Sequence, residues 1–363
     1  MTKRIAIAID SLAGGGAEKV MLTLASSLIE LGHEPHLLVL QNHCHHEVPA
    51  NIPVHFCFAQ NEKNLDSFWK LSQSVARLKQ FIDQVQQEVG KFDLFLSNLD
   101  KTNLLMSRTQ VSPLYFVVHN SVEEELARQR KLGPFAYWDM IRAKKALNGQ
   151  HLITVSNGIA GEIASKARIH PASMQTIYNP FELERIATQA NMSAQGIPDG
   201  DYMVHVGRFA RQKRHDILFQ ALASMKHTLP LVLLCNNKKK ALKVARKYGV
   251  EDRVIVPGFQ TNPYPWIKQA RLLALSSDYE GLPTVLIEAL AVGTPVVSTN
   301  CDHGPKEILL DELQQYLVPR RDPLALAEKL DNALDFYPDC SNAKILAQVG
   351  AQTVAEKYLA LIN

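Results

Sequence analysis

The chain has 363 residues, 46% hydrophobic and 21% charged, the make-up of an ordinary globular protein able to bury a large core. Lys and Arg number 39 and Asp and Glu 36, so the net charge is +3, too balanced for a dedicated nucleic-acid binder. Five cysteines without a CxxC pair, no signal-peptide pattern and no apolar run of about 18 residues exclude disulfide-scaffold, secreted and membrane-spanning classes and fit a reducing cytosol.

At roughly 150 residues per domain, two domains are expected. Residues 4–9 (RIAIAI) read as a buried parallel strand. Apolar residues at 17, 20, 21, 24, 28 and 31 then recur at helical spacing, and Gly32 stops that helix. Strands follow at 35–40, 94–97, 114–118, 151–155 and 174–177. The polar stretch 179–201, with Asn191, Gly196, Pro198 and Gly200, is placed as the interdomain linker. A second series follows: strands at 202–206, 231–235, 254–257, 272–276 and 295–299, and helices at 215–223, 238–248, 262–269, 284–291, 323–334 and 343–361. This alternation predicts two doubly wound parallel sheets, whose ligands bind at the carboxyl ends of the strands in the cleft between two halves.

Three strand ends carry chemistry. The first loop, residues 11–18, holds Gly14, Gly15 and Gly16. It is neither GxGxxG nor a Walker A loop, and suits either a tight turn or backbone contact with an anion. The strand at 202–206 ends in Gly207-Arg208, with Lys213 five residues on. An Arg fork and a Lys point charge there suit a diphosphate. The strand at 272–276 leads to Glu280-Gly281-Leu282-Pro283-Thr284-Val285, with Glu288 inside the next helix. Pro283 fits a helix start, and the N–H groups around Leu282, Thr284 and Val285 are free for phosphate. Glu280 and Glu288 can accept hydrogen bonds from hydroxyls on either side of it. A sugar nucleotide has that layout.

Gly207-Arg208…Lys213 followed by Glu280-x7-Glu288 resembles the retaining glycosyltransferases of family 4, which have the GT-B fold. Residues 14–16, 118–120, 156–157, 178–180 and 294–309 sit where that family has matching segments. The resemblance implies that Arg208 and Lys213 bind the donor diphosphate and stabilise the leaving group, that Glu280 holds hydroxyls of the transferred sugar and that Glu288 holds the ribose. It implies that Gly15 and Gly16 approach phosphate or acceptor, that His119 lies under the anomeric carbon, and that the segment around Gly258 meets the base. It implies a UDP-sugar or GDP-sugar donor, no cofactor, no metal and no protein nucleophile. Residues 1–182 would take the acceptor and 183–342 the donor, with 343–363 packing back on the first half. A surface-glycan or lipid-linked acceptor is the setting the resemblance implies. A non-catalytic nucleotide-sugar-binding protein and another GT-B sugar-nucleotide enzyme, such as a phosphorylase, share these features.

Other candidates are weaker. Asp199-Gly200-Asp201 imitates a metal-binding DxD but precedes its strand and reads as a turn. His43, His45 and His46 with Cys44 and Glu47 match no strong zinc spacing. His303 and Lys306 follow a strand end and suit either the cleft or a capped turn. Residues 128–145 mix Arg128, Arg130, Lys131, Arg142, Lys144 and Lys145 with Phe135, Tyr137 and Trp138, and Phe68 and Trp69 lie near Lys63 and Lys70. Such a segment is either a packed helix with a solvated face or a contact with an anionic membrane surface. The expected location is cytoplasmic, peripheral on the membrane if that contact is real.

Overall fold

A computed structural model describes residues 1–13, 16–43 and 48–362. Gly14, Gly15 and the His45–His46 cluster with Cys44 and Glu47 lie outside the described residues. The chain divides into two compact units, 1–181 with 349–363, and 182–348.

The first unit alternates strands and helices: β1 (Arg4–Ile9), α1 (Gly16–Glu30), β2 (Glu34–Gln41), β3 (Val54–Phe58), α2 (Leu71–Val89), β4 (Leu94–Asn98), α3 (Asp100–Met106), β5 (Leu114–Val118), α4 (Val122–Leu132), α5 (Pro134–Lys145), β6 (His151–Thr154), α6 (Asn157–Lys166) and β7 (Ser173–Thr176). Its seven strands run parallel in the order β3-β2-β1-β4-β5-β6-β7. β1, β2 and β4 are buried along nearly their whole length, as strands of a parallel sheet covered on both faces are. Ile5, Ile7, Leu37 and Leu96 there, and Phe116 on β5, are fully buried, each worth about 1.5–3 kcal/mol of transfer energy.

The second unit contains α7 (Leu183–Ala190), β8 (Met203–Val206), α8 (His215–Ser224), β9 (Leu231–Leu234), α9 (Lys238–Lys247), β10 (Val254–Ile255), α10 (Tyr264–Gln269), β11 (Leu272–Leu275), α11 (Thr284–Ala291), β12 (Val296–Thr299), α12 (Pro305–Ile308), β13 (Leu317–Val318) and α13 (Pro323–Asp335). Its six parallel strands are ordered β10-β9-β8-β11-β12-β13. In both sheets the order turns back beside the first strand of the unit, the switch point where open α/β sheets take their ligands.

Three expectations need correction. The stretch 179–201 is not all linker: α7 forms inside it and packs on α10 and α11, burying Ile186 and Ala190. The single closing helix predicted at 343–361 is two, α14 (Lys344–Val349) and α15 (Ala351–Leu359), separated at Gly350. Residues 343–348 therefore lie with the second unit, and only 349–363 return to the first. Two short strands, β3 and β13, were not foreseen.

Candidate functional site

β8 delivers Gly207 and Arg208 at its carboxyl end. A Cβ on Gly207 would come within 3.3 Å of Lys213 Cε, so glycine lets the lysine stem cross there. The Arg208 side chain is exposed and makes no hydrogen bond or ion pair among the described residues. Lys213 closes a 3-10 turn, Arg211–Lys213, which is tied to the end of β11 by Ser276 Oγ donating to the Lys213 carbonyl at 2.7 Å.

Lys213 Nζ donates to Glu280 Oε1 at 2.6 Å, with the two side chains 17% and 9% exposed. Gln212 Nε2 donates to the Tyr279 carbonyl at 2.7 Å and reaches Glu280 Oε2 at 3.4 Å. Two of the residues singled out from sequence, 67 positions apart, thus meet directly. Buried ion pairs hold only with such close geometry, because desolvation opposes them.

Behind this pair lies a charged anchor that the sequence did not reveal. Arg214, at φ 46°, donates to both Asp278 oxygens at 3.1–3.2 Å and to both Asp216 oxygens at 2.8–2.9 Å. Arg321 takes the same Asp278 carboxylate from the other side with two bonds of 3.0 Å. Burial would raise the Asp278 carboxyl, but Arg321 and Arg214 hold it below the usual range. Arg320 links the Asp278 carbonyl to Asp302. The loop bearing Glu280 is thereby fixed to α8 and to the segment after β13.

α11 opens at Thr284 with Pro283 before it; Leu282 and Val285 are buried, Thr284 and Glu288 half-buried. Gly304, at φ 91°, packs against this turn, and a Cβ there would lie 2.2 Å from Pro283 Cδ. Glu288 lies near the buried Tyr264, whose hydroxyl is pushed up mainly by burial and further by that carboxylate. Gly258, at φ 102°, follows β10, and Phe259 beside it is exposed. His303, at φ 66°, is half-buried and Lys306 is exposed in α12.

Under the same strand end sit two buried histidines. His205 Nδ1 bonds the Ala274 carbonyl at 2.8 Å, its ring lies 4.9 Å from that of His215, and Phe209 stacks on His215. Each keeps a buried Nε2 without a partner. Burial pushes both imidazoles down, His205 to about 4 and His215 to about 2.

In the first unit, Gly16 opens α1 while Gly15 lies outside the described residues. His119 follows β5, and its Nε2 is 2.9 Å from Asn98 Oδ1. His119 borders a small open hollow, lined also by Asp100, Asn103, Glu125 and Lys144. Lys144 is buried there, with Nζ 2.6 Å from Asp100 and 2.5 Å from Glu125. It therefore does not belong to the basic surface expected over 128–145, whereas Arg128, Arg130, Lys131 and Lys145 are exposed. Phe135 and Trp138 on α5, Leu132 at the end of α4, and Phe68 and Trp69 are also exposed. Arg142 Nη2 donates to the Asp66 carbonyl at 2.5 Å and ties α5 to the loop carrying Phe68 and Trp69.

Asp201 of the DxD-like turn pairs with exposed Arg271 at 3.2 Å. Among the described residues no group of three or more His, Cys, Asp or Glu side chains is arranged to hold a metal. No helix of the described residues is long and apolar enough to cross a membrane.

Residues 14–185 match the family described as Glycosyltransferase Family 4, and residues 188–347 match Glycosyl transferases group 1. The chain is 25% identical over 314 residues, 85% of its length and 84% of the relative's, to the N-acetylgalactosamine-N,N'-diacetylbacillosaminyl-diphospho-undecaprenol 4-alpha-N-acetylgalactosaminyltransferase of Campylobacter jejuni. It is 25% identical over 272 residues to the lipopolysaccharide 1,6-galactosyltransferase of Salmonella typhimurium, covering 70% of this chain and 72% of that one. Among solved structures, HepE of Anabaena in complex with UDP superposes over 99% of both chains with a TM-score of 0.76 at 19% identity. Two parallel-sheet units, two glycosyltransferase family matches that meet between residues 185 and 188, and full-length structural likeness lead to one conclusion: the chain is a glycosyltransferase with the GT-B fold.

Proposed function

We propose that the protein is a retaining, family 4 enzyme that moves a sugar from a nucleoside diphosphate donor to a hydroxyl of a surface glycan or lipid-linked saccharide. The observation that carries this reading is the Lys213–Glu280 contact at 2.6 Å beside the unpaired Arg208 and the start of α11. A cation touching a carboxylate is the arrangement needed where a phosphate adjoins a sugar. Arg208 and Lys213 stabilise the charge that develops on the departing diphosphate, aided by N–H groups around Leu282, Thr284 and Val285. Glu280 accepts hydrogen bonds from hydroxyls of the transferred sugar, and Glu288 from the ribose. Backbone groups near Gly258 meet the base. Gly16, with Gly15, and His119 serve the first unit's side of the reaction. No metal and no cofactor are assigned.

The relative from Campylobacter jejuni is named for an undecaprenol-linked acceptor, and HepE was solved with UDP. Those names favour a uridine donor and a lipid-linked acceptor for this chain too. The exposed aromatics Phe68, Trp69, Phe135 and Trp138, among exposed cations, suit docking on the anionic cytoplasmic face of a membrane.

Thermal shift against nucleoside diphosphates and nucleotide sugars, with and without EDTA, tests the donor site. A rise in Tm with one nucleotide series, unchanged by EDTA, is the expected outcome. No shift with any of them moves a degenerate enzyme ahead of this reading. NMR of the product's anomeric proton tests retention.

A further inference from the structure

Asn98 ends β4, is fully buried, and is bonded on every side. Its Nδ2 donates to the Ala8 and Leu96 carbonyls at 3.2 and 3.3 Å. Two carbonyls on one end of the amide fix which end is nitrogen, so Oδ1 is the atom that faces His119 Nε2 at 2.9 Å. An amide oxygen cannot donate. The proton in that contact therefore belongs to Nε2, and a neutral ring then keeps its lone pair on Nδ1.

The surroundings keep the ring neutral. Burial pushes His119 down to about 4, against the pull of the Asp100 charge. Asp100 on α3 is itself held by Lys144 of α5, which also takes Glu125 of α4. Asn120 donates to the other oxygen of Glu125 at 3.0 Å. Asp10 at the end of β1 is turned to Thr102. Lys144 is shared between the two carboxylates that border the hollow, and burial outweighs the pull that Asp100 exerts on the imidazole.

We propose that Asn98 is a positioning residue: it locks His119 in the Nε2–H tautomer, so that Nδ1 accepts a hydrogen bond from a hydroxyl of the bound sugar. The inference rests on the reading that His119 meets the sugar. It assigns that subsite an acceptor-only, uncharged imidazole, suited to a hydroxyl and not to a phosphate.

The test uses the full chain. Side-chain 1H–15N correlation spectra of the histidine rings, with His119→Gln for assignment, report the tautomer directly. Wild type should show a protonated Nε2 and an unprotonated Nδ1 from pH 6 to 8.5. Asn98→Asp places a carboxylate against Nε2–H, stabilises the imidazolium and raises the His119 pKa. Hydrolysis of whichever nucleotide sugar gives the largest thermal shift is the rate readout. In Asn98→Asp it should be at least tenfold slower at pH 6 than at pH 8.5, while wild type changes less than threefold. A wild-type ring protonated on Nδ1 overturns the inference. So does an Asn98→Asp variant whose His119 is charged at pH 6 but whose hydrolysis rate is flat with pH. A wild-type chain that binds no nucleotide sugar overturns the functional reading and the sugar contact together, whereas the wrong tautomer in an active enzyme overturns this inference alone.

Discussion

Lys213 and Glu280 are bonded to one another, so each masks the charge the other would offer a ligand. On the proposed function, a donor exchanges a phosphate oxygen and a sugar hydroxyl for that bond. Glu280→Ala should reduce transfer by about 10²-fold or more while nucleoside diphosphate affinity, read by calorimetry, stays within a few-fold. Lys213→Ala should weaken both; equal loss of both in Glu280→Ala would count against its place on the sugar side. The buried histidines give a pH signature. His205 is lowered in the folded state to about 4, so the unfolded chain binds the extra proton first. Stability is full above the unfolded value of 6.5 and is lost as pH falls toward the folded one, by about 2 kcal/mol at pH 5 for a single such group. Calorimetry of wild type and His205→Gln from pH 7.5 to 5 should show the variant losing less. At this scale the sequence displays what is local: Gly207, Arg208, Lys213, Glu280 and Glu288 stand in two short stretches. It hides what the fold joins. Asn98 and His119 are 21 residues apart, Arg214 and Asp278 are 64, and Asp278 and Arg321 are 43.

At the level of elements, the turn before α11 depends on a neighbour with no side chain. Gly304 occupies the left-handed region, and a methyl group there would collide with Pro283. Gly304→Ala should push residues 281–283 off position, lowering kcat/KM by tenfold or more and stability by about 1–3 kcal/mol, measurable by initial rates and thermal melts. The strands flanking this loop were legible because fully buried parallel strands read as unbroken apolar runs. β3 was not, because it lies at the sheet edge and only Phe58 of its five residues is buried. α7 was not, because it buries only Ile186 and Ala190 and its polar face resembles a linker.

For the molecule as a whole, exposed Phe68, Trp69, Phe135 and Trp138 and the exposed cations of α4 and α5 all belong to the first unit, and the proposed membrane contact rests on them. Sedimentation with vesicles containing phosphatidylglycerol should carry the protein down at low salt, and phosphatidylcholine vesicles should not. Replacing Trp69, Phe135 and Trp138 with Ser should abolish sedimentation while leaving the melting profile intact. Residual sedimentation of that variant would assign the contact to charge alone.

The route of the chain has a further consequence. Phe181 donates to the Val349 carbonyl and accepts from Ala351, so the outgoing and returning segments cross side by side. Beyond that crossing, Val354, Ala355 and Tyr358 fill the core of the first unit against α1. On the ribosome, the opening half of the protein thus waits for residues made after the whole second unit. A stop codon at position 349 would remove no candidate site residue, yet it would leave the first unit's core uncovered and should lower the melting temperature read by calorimetry.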